Sequence, residues 1–189
     1  MPMTRASSAR FALALIALLL VALPVTAPRA ETTGPTVVTV IGAVGESNRP
    51  PFNSFADSLF AYHDLSFEKA YAFDRSALLA LPQHTLVANA TNWERAVSAS
   101  GPSLADVLLE AGVDPGAGIT LMALDGYAVE LDAAARQAEN WVLALSADGA
   151  ALGIGGRGPL WLLYDTGGEA AIDDGEAKWV YSVFTIIVE

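Results

Sequence analysis

The stretch ITLMALDGYAVEL, residues 119–131, sets two apolar segments on either side of Asp125-Gly126. Asp-Gly between such segments is the strongest reverse-turn signal in the chain, because glycine adopts a positive φ angle without a steric penalty. The stretch therefore predicts an antiparallel β-hairpin, with strands at 119–124 and 127–131 joined by a two-residue turn.

Similar strand signals lie on both sides of this hairpin. They are short, rich in β-branched, leucine or aromatic residues, and bounded by Gly, Pro, Asn or Asp. The apolar spacing of residues 55–65 is mixed, so the type of that segment stays open. The further predicted strands are residues 36–41, 69–73, 85–89, 141–145, 160–164 and 178–188.

Short helices are predicted between these strands, each opened by a residue that is favoured as an N-cap. Gly112 stands where a glycine commonly ends a helix. Short helices among many short strands predict a single α+β domain with a mixed, mostly antiparallel sheet. The predicted caps and helices are Asp74 for 75–81, Ser103 for the helix that runs to Ala111, and Asp132 for the helix through Gln137.

The first 30 residues have the pattern of a secretory signal peptide. Arg5 and Arg10 precede an apolar run at 11–23, and small or helix-breaking residues follow it. We expect cleavage after Ala30; cleavage after Ala27 and an uncleaved anchor are the alternatives. The absence of an Arg-Arg pair indicates Sec-type export, to the periplasm or outside the cell. The predicted organisation is a signal peptide at 1–30, an N-terminal strand and loop lead-in at 31–66, and one domain at 67–189.

The chain is acidic, with 21 Asp and Glu residues against 10 Lys and Arg residues and a formal charge of −11. Loss of residues 1–30 removes three arginines and leaves a formal charge of −14. Such a charge repels nucleic acid and anionic lipid surfaces, so we expect neither as a partner. A small-molecule ligand or an exported or membrane-bound protein partner is compatible with it. No segment after residue 30 is apolar over a length that would cross a bilayer.

Common catalytic and metal-binding motifs do not occur in the sequence. It has no cysteine, which excludes thiolate metal sites, disulfide exchange and a cysteine nucleophile. No Gly-x-Ser-x-Gly or His-Glu-x-x-His pattern occurs, and His63 and His84 stand apart. The glycine-rich run at 153–158 favours a hairpin loop over a phosphate site. The acidic residues at 165–176 favour a solvated loop over a calcium site. We therefore assign no catalytic residue and no metal ligand.

Seven short segments between about Phe67 and Val188 form a recognisable series. They are FDRSALLALP at 73–82, TLVANATNW at 85–93, SLADVLLEAG at 103–112, ALDGY at 123–127, LALSADG at 143–149, GPL at 158–160 and KW at 178–179. In this order and spacing they resemble the molybdopterin-binding oxidoreductase domain family with the sulfite oxidase fold, especially its small exported branch. The resemblance implies a sulfite-oxidase-like fold for this region.

The resemblance also implies a cofactor site, from which this chain departs. In active members the pterin dithiolene and one protein cysteine hold molybdenum, a metal tuned by that soft ligand. Here residues 86–93, where the ligand is expected, offer Asn89, which is not an equivalent donor. Trp161 follows Pro159-Leu160, where redox-active relatives often have arginine. The residues that the resemblance implies around the cofactor groove are Asn89, Asp125, Gly126, Tyr127, Arg157, Gly158 and Lys178.

Three functions are compatible with these features. The first is an exported, non-catalytic sensory or accessory module that binds a small ligand or a protein partner in the groove. The alternative is a molybdopterin-dependent oxidoreductase that binds its cofactor without a cysteine ligand, motivated by Arg157 and Lys178 on an acidic chain. The third is a structural interaction domain without a ligand. The missing thiolate and the Sec-type signal favour the first, whereas a molybdenum cofactor is implied by the resemblance alone.

Overall fold

The computed structural model describes residues 32–172 and 175–189 together with Met1. The predicted signal peptide and its cleavage site therefore lie outside the described residues, as do Asp173 and Asp174 of the acidic segment. The strands are β1 Thr36–Gly42, β2 Ala70–Asp74, β3 Gln83–Ala88, β4 Val97–Pro102, β5 Ile119–Ala123, β6 Ala128–Leu131, β7 Trp141–Ala144, β8 Ser146–Ala147, β9 Ala150–Ala151, β10 Trp161–Tyr164 and β11 Val183–Val188. The helices are α1 Ser58–Tyr62, α2 Arg75–Ala80, α3 Leu104–Glu110 and α4 Ala133–Ala138, with a 3-10 helix at Gly175–Lys178.

The larger sheet has five strands in the order β2-β1-β11-β5-β6. β1 and β11 run parallel, with Thr39 opposite Thr185, and the other pairs are antiparallel. The Thr185 hydroxyl, fully buried, donates to the Thr39 carbonyl at 2.9 Å, which satisfies a polar group inside the sheet. β1, which comes from the predicted lead-in, thus lies in the interior of this sheet.

A second strand layer is formed by β3-β4-β8-β9 and by the pair β7-β10. The two parts meet where β4 passes β7. There the Leu145 N–H donates to the Ser100 carbonyl at 2.8 Å, and Ser103 forms a bridge with Val142. One hydrophobic core cluster includes residues of both the five-stranded sheet and this second layer, among them Val40, Leu121 and Leu143. The observed architecture confirms the predicted α+β class with mostly antiparallel strands.

The three predicted N-caps are confirmed. In each case a side-chain oxygen accepts the backbone N–H three residues further on, a group that the helix itself leaves without a partner. The pairs are Asp74 with Ala77 at 2.7 Å, Ser103 with Asp106 at 3.0 Å and Asp132 with Ala135 at 2.7 Å. Gly112 follows α3 with a φ angle of 68°, as its predicted role requires.

Three local predictions are wrong in detail. The hairpin at 119–131 is present, but its loop has three residues, Leu124 to Gly126, because the Ala123 N–H already pairs with the Tyr127 carbonyl at 2.8 Å. Residues 178–188 are not one strand: Lys178 ends the 3-10 helix, and β11 begins at Val183. The glycine-rich run at 153–158 connects two strands that pair with other partners, so it is not a hairpin loop.

The open segment 55–65 contains α1, whose Phe60 packs in a smaller apolar cluster with Ile41, Phe67, Ala70 and Phe184. This cluster includes residues of β1, β2 and β11 and is separate from the main core. Among the described residues, no helix is long and apolar enough to cross a membrane.

Candidate functional site

The turn of the β5–β6 hairpin is fixed by its own side chains. The Asp125 carboxylate accepts the Tyr127 N–H at 3.0 Å, and Gly126 takes a φ angle of 90° that the turn requires. The Tyr127 hydroxyl donates to the carbonyl oxygen of Ala177 in the 3-10 helix. The turn and the 3-10 helix are therefore joined, and they face a common cavity.

This cavity has a volume of about 400 Å³. Three aromatic side chains line it: Trp179 is 3% exposed, whereas Tyr127 and Tyr181 are 47% and 41% exposed. Trp179 thus forms its inner wall, and the two tyrosines lie nearer to solvent. The complete lining, which we call the aromatic cavity, is Ala123, Asp125, Tyr127, Glu176, Ala177, Trp179 and Tyr181.

The aromatic cavity is acidic. Asp125 and Glu176 are exposed carboxylates, and no basic residue occurs among the described residues that line it. Neither carboxylate forms a salt bridge within residues 32–172 and 175–189. The cavity therefore combines aromatic side chains with two carboxylates that form no ion pair with a described residue.

Arg157 lies beside the aromatic cavity and not in its wall. Its guanidinium carbon is 4.7 Å from the centre of the Trp93 ring, 5.0 Å from Trp161 and 5.4 Å from Tyr181. Cation–π contacts of this kind are favourable, and a planar guanidinium is well suited to them. The charge of Arg157 is thus directed towards three rings of its own chain.

The rings around Arg157 belong to a larger cluster. Trp161 is fully buried, and its ring centre lies 5.7 Å from that of Trp93 and 6.2 Å from that of Trp179. The indole N–H groups of Trp161 and Trp179 are buried and have no hydrogen-bond partner among the described residues. Burial raises the pKa of the adjoining Tyr164, and the nearby Glu139 charge acts in the same direction. Trp161, at the position where the resemblance implies an arginine, is thus part of an aromatic cluster.

Asn89 forms hydrogen bonds with a neighbouring loop. Its side-chain N–H donates to the Gly168 carbonyl at 3.1 Å, and its side-chain oxygen accepts the Ala90 N–H at 2.9 Å. Its backbone N–H donates to the Thr166 hydroxyl at 3.1 Å. These bonds fasten the loop that follows β10 to the end of β3. Asn89 does not line the aromatic cavity.

Lys178, at the end of the 3-10 helix, is exposed and has no hydrogen bond or salt bridge within the described part of the chain. It too is absent from the lining of the aromatic cavity. Of the residues implied by the resemblance, Asp125 and Tyr127 both line the aromatic cavity. Arg157 lies outside the lining and contacts the ring of Tyr181, which is part of it. Sequence reasoning missed Glu176, Trp179 and Tyr181, although two aromatic residues close to an acidic one are a local signal of such a site.

The side chains at this place do not fit a molybdenum–pterin group. The chain has no cysteine to supply a thiolate, and Asn89 is committed to the loop backbone. Asp125 and Glu176 would repel the phosphate of the pterin, while the guanidinium of Arg157 is stacked on rings. Within residues 32–172 and 175–189, no group of three or more His, Asp or Glu side chains is placed to hold a metal ion.

Two other cavities are lined by arginine side chains that already have partners. One, of about 630 Å³, includes His84, 3.5 Å from an Asp106 oxygen, and Arg136, which donates to the Ala117 carbonyl. Burial lowers the pKa of Arg136. The other, of about 430 Å³, contains the salt bridge of Arg49 with Asp57. The aromatic cavity differs from both because the described lining of each of them includes an arginine, whereas its own includes two carboxylates and no basic residue.

Comparison with known proteins identifies a structural neighbour. The chain is similar to the sulfane dehydrogenase SoxCD from Paracoccus pantotrophus, with a TM-score of 0.52 and 16% sequence identity. The match covers 80% of this chain and 37% of that one, so this chain spans little more than a third of its neighbour. No protein-family model and no curated protein matches the sequence. The neighbour confirms the predicted sulfite-oxidase-like α+β fold, and at this identity it shows the fold alone.

Proposed function

We propose that the chain is an exported, non-catalytic module that keeps a sulfite-oxidase-like fold and uses the aromatic cavity to bind a small ligand or a partner protein. The proposal rests on the contacts of the residues that the resemblance implies around the cofactor groove. Asn89 and Arg157 are engaged within the protein, while Asp125 and Tyr127 line an acidic aromatic cavity. Concave sites of this size, lined by rings and a few polar groups, are typical ligand sites.

Oxygen-atom transfer at molybdenum is not proposed, because the soft protein ligand that tunes the metal has no counterpart in this sequence. The activity named for the structural neighbour is likewise not transferred to this chain. Export rests on the signal-like pattern of residues 1–30, and the lack of an Arg-Arg pair supports transport before folding.

The proposal is tested on protein purified from its native host. Elemental analysis should find molybdenum at trace level only, and assays with sulfite or a sulfoxide and a dye as electron acceptor or donor should show no turnover. Native mass spectrometry of the same sample should reveal a bound small molecule or protein. Stoichiometric molybdenum with turnover would instead establish the alternative, an oxidoreductase that holds its cofactor without cysteine.

A further inference from the structure

The chemistry of the aromatic cavity points to the charge of its ligand. The faces of aromatic rings carry negative potential and attract cations, with tryptophan the strongest and tyrosine also effective. Trp179, Tyr127 and Tyr181 all line the cavity, and Trp179 is almost completely buried. A cation seated here would meet the two accessible rings, Tyr127 and Tyr181, and Trp179 forms the inner wall behind them.

The carboxylates of the cavity also favour a cation as the ligand. Asp125 and Glu176 line it, no described basic residue does, and the whole chain has a formal charge of −11. Of the two described cations that adjoin the lining, Arg157 faces Trp93 and Trp161 as well as Tyr181, and Lys178 is exposed at the end of the 3-10 helix. The only charged side chains in the described lining are therefore carboxylates, and they favour a positively charged ligand over an anion.

The same lining discriminates between kinds of cation. A bare divalent metal takes several oxygen ligands. This cavity supplies two carboxylates, and no group of three or more His, Asp or Glu side chains in the described part of the chain is placed to hold a metal. A substituted ammonium group is large, weakly hydrated and able to lie against ring faces, so aromatic side chains with nearby carboxylates suit it. The volume of about 400 Å³ is sufficient for a small organic molecule.

We infer that the aromatic cavity binds a substituted ammonium group, as a free organic cation or as the headgroup of a lipid. This inference rests on the proposed function of a ligand-binding module and names the class of its ligand. Tyr127 and Tyr181 form the outer wall, Trp179 forms the inner wall, and Asp125 and Glu176 supply the compensating charge.

The test is a titration of the full chain, purified from its native host, with choline and with its uncharged carbon isostere 3,3-dimethyl-1-butanol. Calorimetry and tryptophan fluorescence at constant ionic strength should both report choline binding. The isostere should bind roughly tenfold or more weakly, since it lacks the charge but keeps the shape. Sedimentation with phosphatidylcholine vesicles distinguishes a lipid headgroup from the free cation.

Single substitutions show which residues contribute to choline binding. Tyr181→Leu should weaken choline binding by about tenfold, and Tyr181→Phe, which keeps the ring, should retain it. Asp125→Asn and Glu176→Gln should each weaken it by roughly two- to fivefold, as expected for an exposed charge. Glu169→Gln, an exposed carboxylate that does not line the cavity, is the matched control and should have no effect. Thermal unfolding of each variant shows that it is folded.

Equal affinities for choline and its isostere, or binding that is unchanged in Tyr181→Leu and Glu176→Gln, would overturn the inference. Absence of binding to both choline and the vesicles would do the same. If native mass spectrometry then finds a neutral or anionic ligand, the module function stands and only the ligand class is wrong. Turnover with stoichiometric molybdenum would refute the module itself.

Discussion

Asp74 is a buried carboxylate that connects three parts of the chain. One of its oxygens accepts the Ala77 N–H at 2.7 Å, and the other accepts the N–H groups of Thr33 at 2.8 Å and Gly34 at 2.7 Å. Hydrogen bonds from Ala77 and then from Gly34 hold the pKa of this carboxyl below its usual value of 3.8. Its ionised form is therefore the one that the fold favours.

The first prediction concerns this carboxylate. Because the folded-state pKa is depressed, its stabilising effect is fully present above about pH 4, the pKa of an unfolded aspartate, and is lost as the pH falls through the folded value. We expect Asp74→Asn to lower the unfolding temperature at neutral pH. The difference from the unmodified protein should stay constant from neutral pH to about pH 4 and shrink as the pH falls further, as measured by circular dichroism.

Asp132→Asn is the matched control, since Asp132 is an exposed N-cap that accepts one described N–H, from Ala135. Its effect on the unfolding temperature should be smaller. A penalty for Asp74→Asn that stays constant as the pH falls below about 4 would contradict the role given to its charge.

For individual residues, an interaction can be predicted from the sequence when its donor and acceptor are close together in the chain. The caps Asp74, Ser103 and Asp132 are predictable because donor and acceptor stand three residues apart. The stacking of Arg157 is not predictable, because Trp93, Trp161 and Tyr181 reach it from three separate segments. For the same reason the pairing of Tyr127 with Ala177, fifty residues away, gives no signal in the sequence.

Among the elements, β4 shows why a strand can escape a sequence-based prediction. Its sequence, VSASGP, lacks the alternating large apolar residues that mark the other strands. The small residues have a structural reason, because β4 passes close to β7. A Cβ atom placed on Gly101 would lie 2.0 Å from the carbonyl oxygen of Leu143. The same small side chains that make β4 hard to predict from the sequence allow it to pass this close to β7.

The second prediction follows from that contact. Gly101→Ala should destabilise the protein by about 1–3 kcal/mol, the usual cost of forcing extra atoms into a packed interior. Gly153→Ala, in a loop where an added Cβ meets nothing within 4 Å, should change stability by no more than about 0.5 kcal/mol. Urea unfolding of the two variants provides the comparison. Equal free energies of unfolding for the two variants would contradict the prediction, because β4 and β7 could then move apart without cost.

Other elements follow the sequence more closely. The hairpin at 119–131 is predictable because its turn and both strands are contiguous, and only the length of the loop differs. The break at 178–183 is not predictable from local apolar content, because Trp179 and Val180 are buried there without belonging to a strand of the large sheet. Val180 instead forms a bridge with Leu162.

At the scale of the whole molecule, the aromatic cluster connects distant parts of the chain. All four tryptophans of the sequence belong to it, with Trp141 linked to Trp179 through Tyr164 at ring distances of 5.1 and 5.6 Å. The main hydrophobic core also continues from the five-stranded sheet into the second layer. Both features couple the two halves of the fold.

The third prediction is that the protein unfolds in one step. Tryptophan fluorescence reports the cluster, far-UV circular dichroism reports the strands and helices, and their urea transitions should coincide. Trp93→Phe, which removes one half-buried indole, should lower the fluorescence amplitude while the two transitions still coincide. Separate midpoints for the two signals would show that the cluster opens before the sheets.

The parallel pairing of β1 with β11 has a consequence for how the chain reaches its native state. Thr39 lies opposite Thr185, so the middle of the large sheet is closed by segments almost 150 residues apart in sequence. Contacts of such long range slow folding, since a large loop must close before they form. A nascent chain that lacks β11 leaves one edge of β1 unpaired, so the large sheet cannot be completed until β11 has been synthesised. Under the proposed export, such a delay would let the chain pass through a translocation pore before it folds.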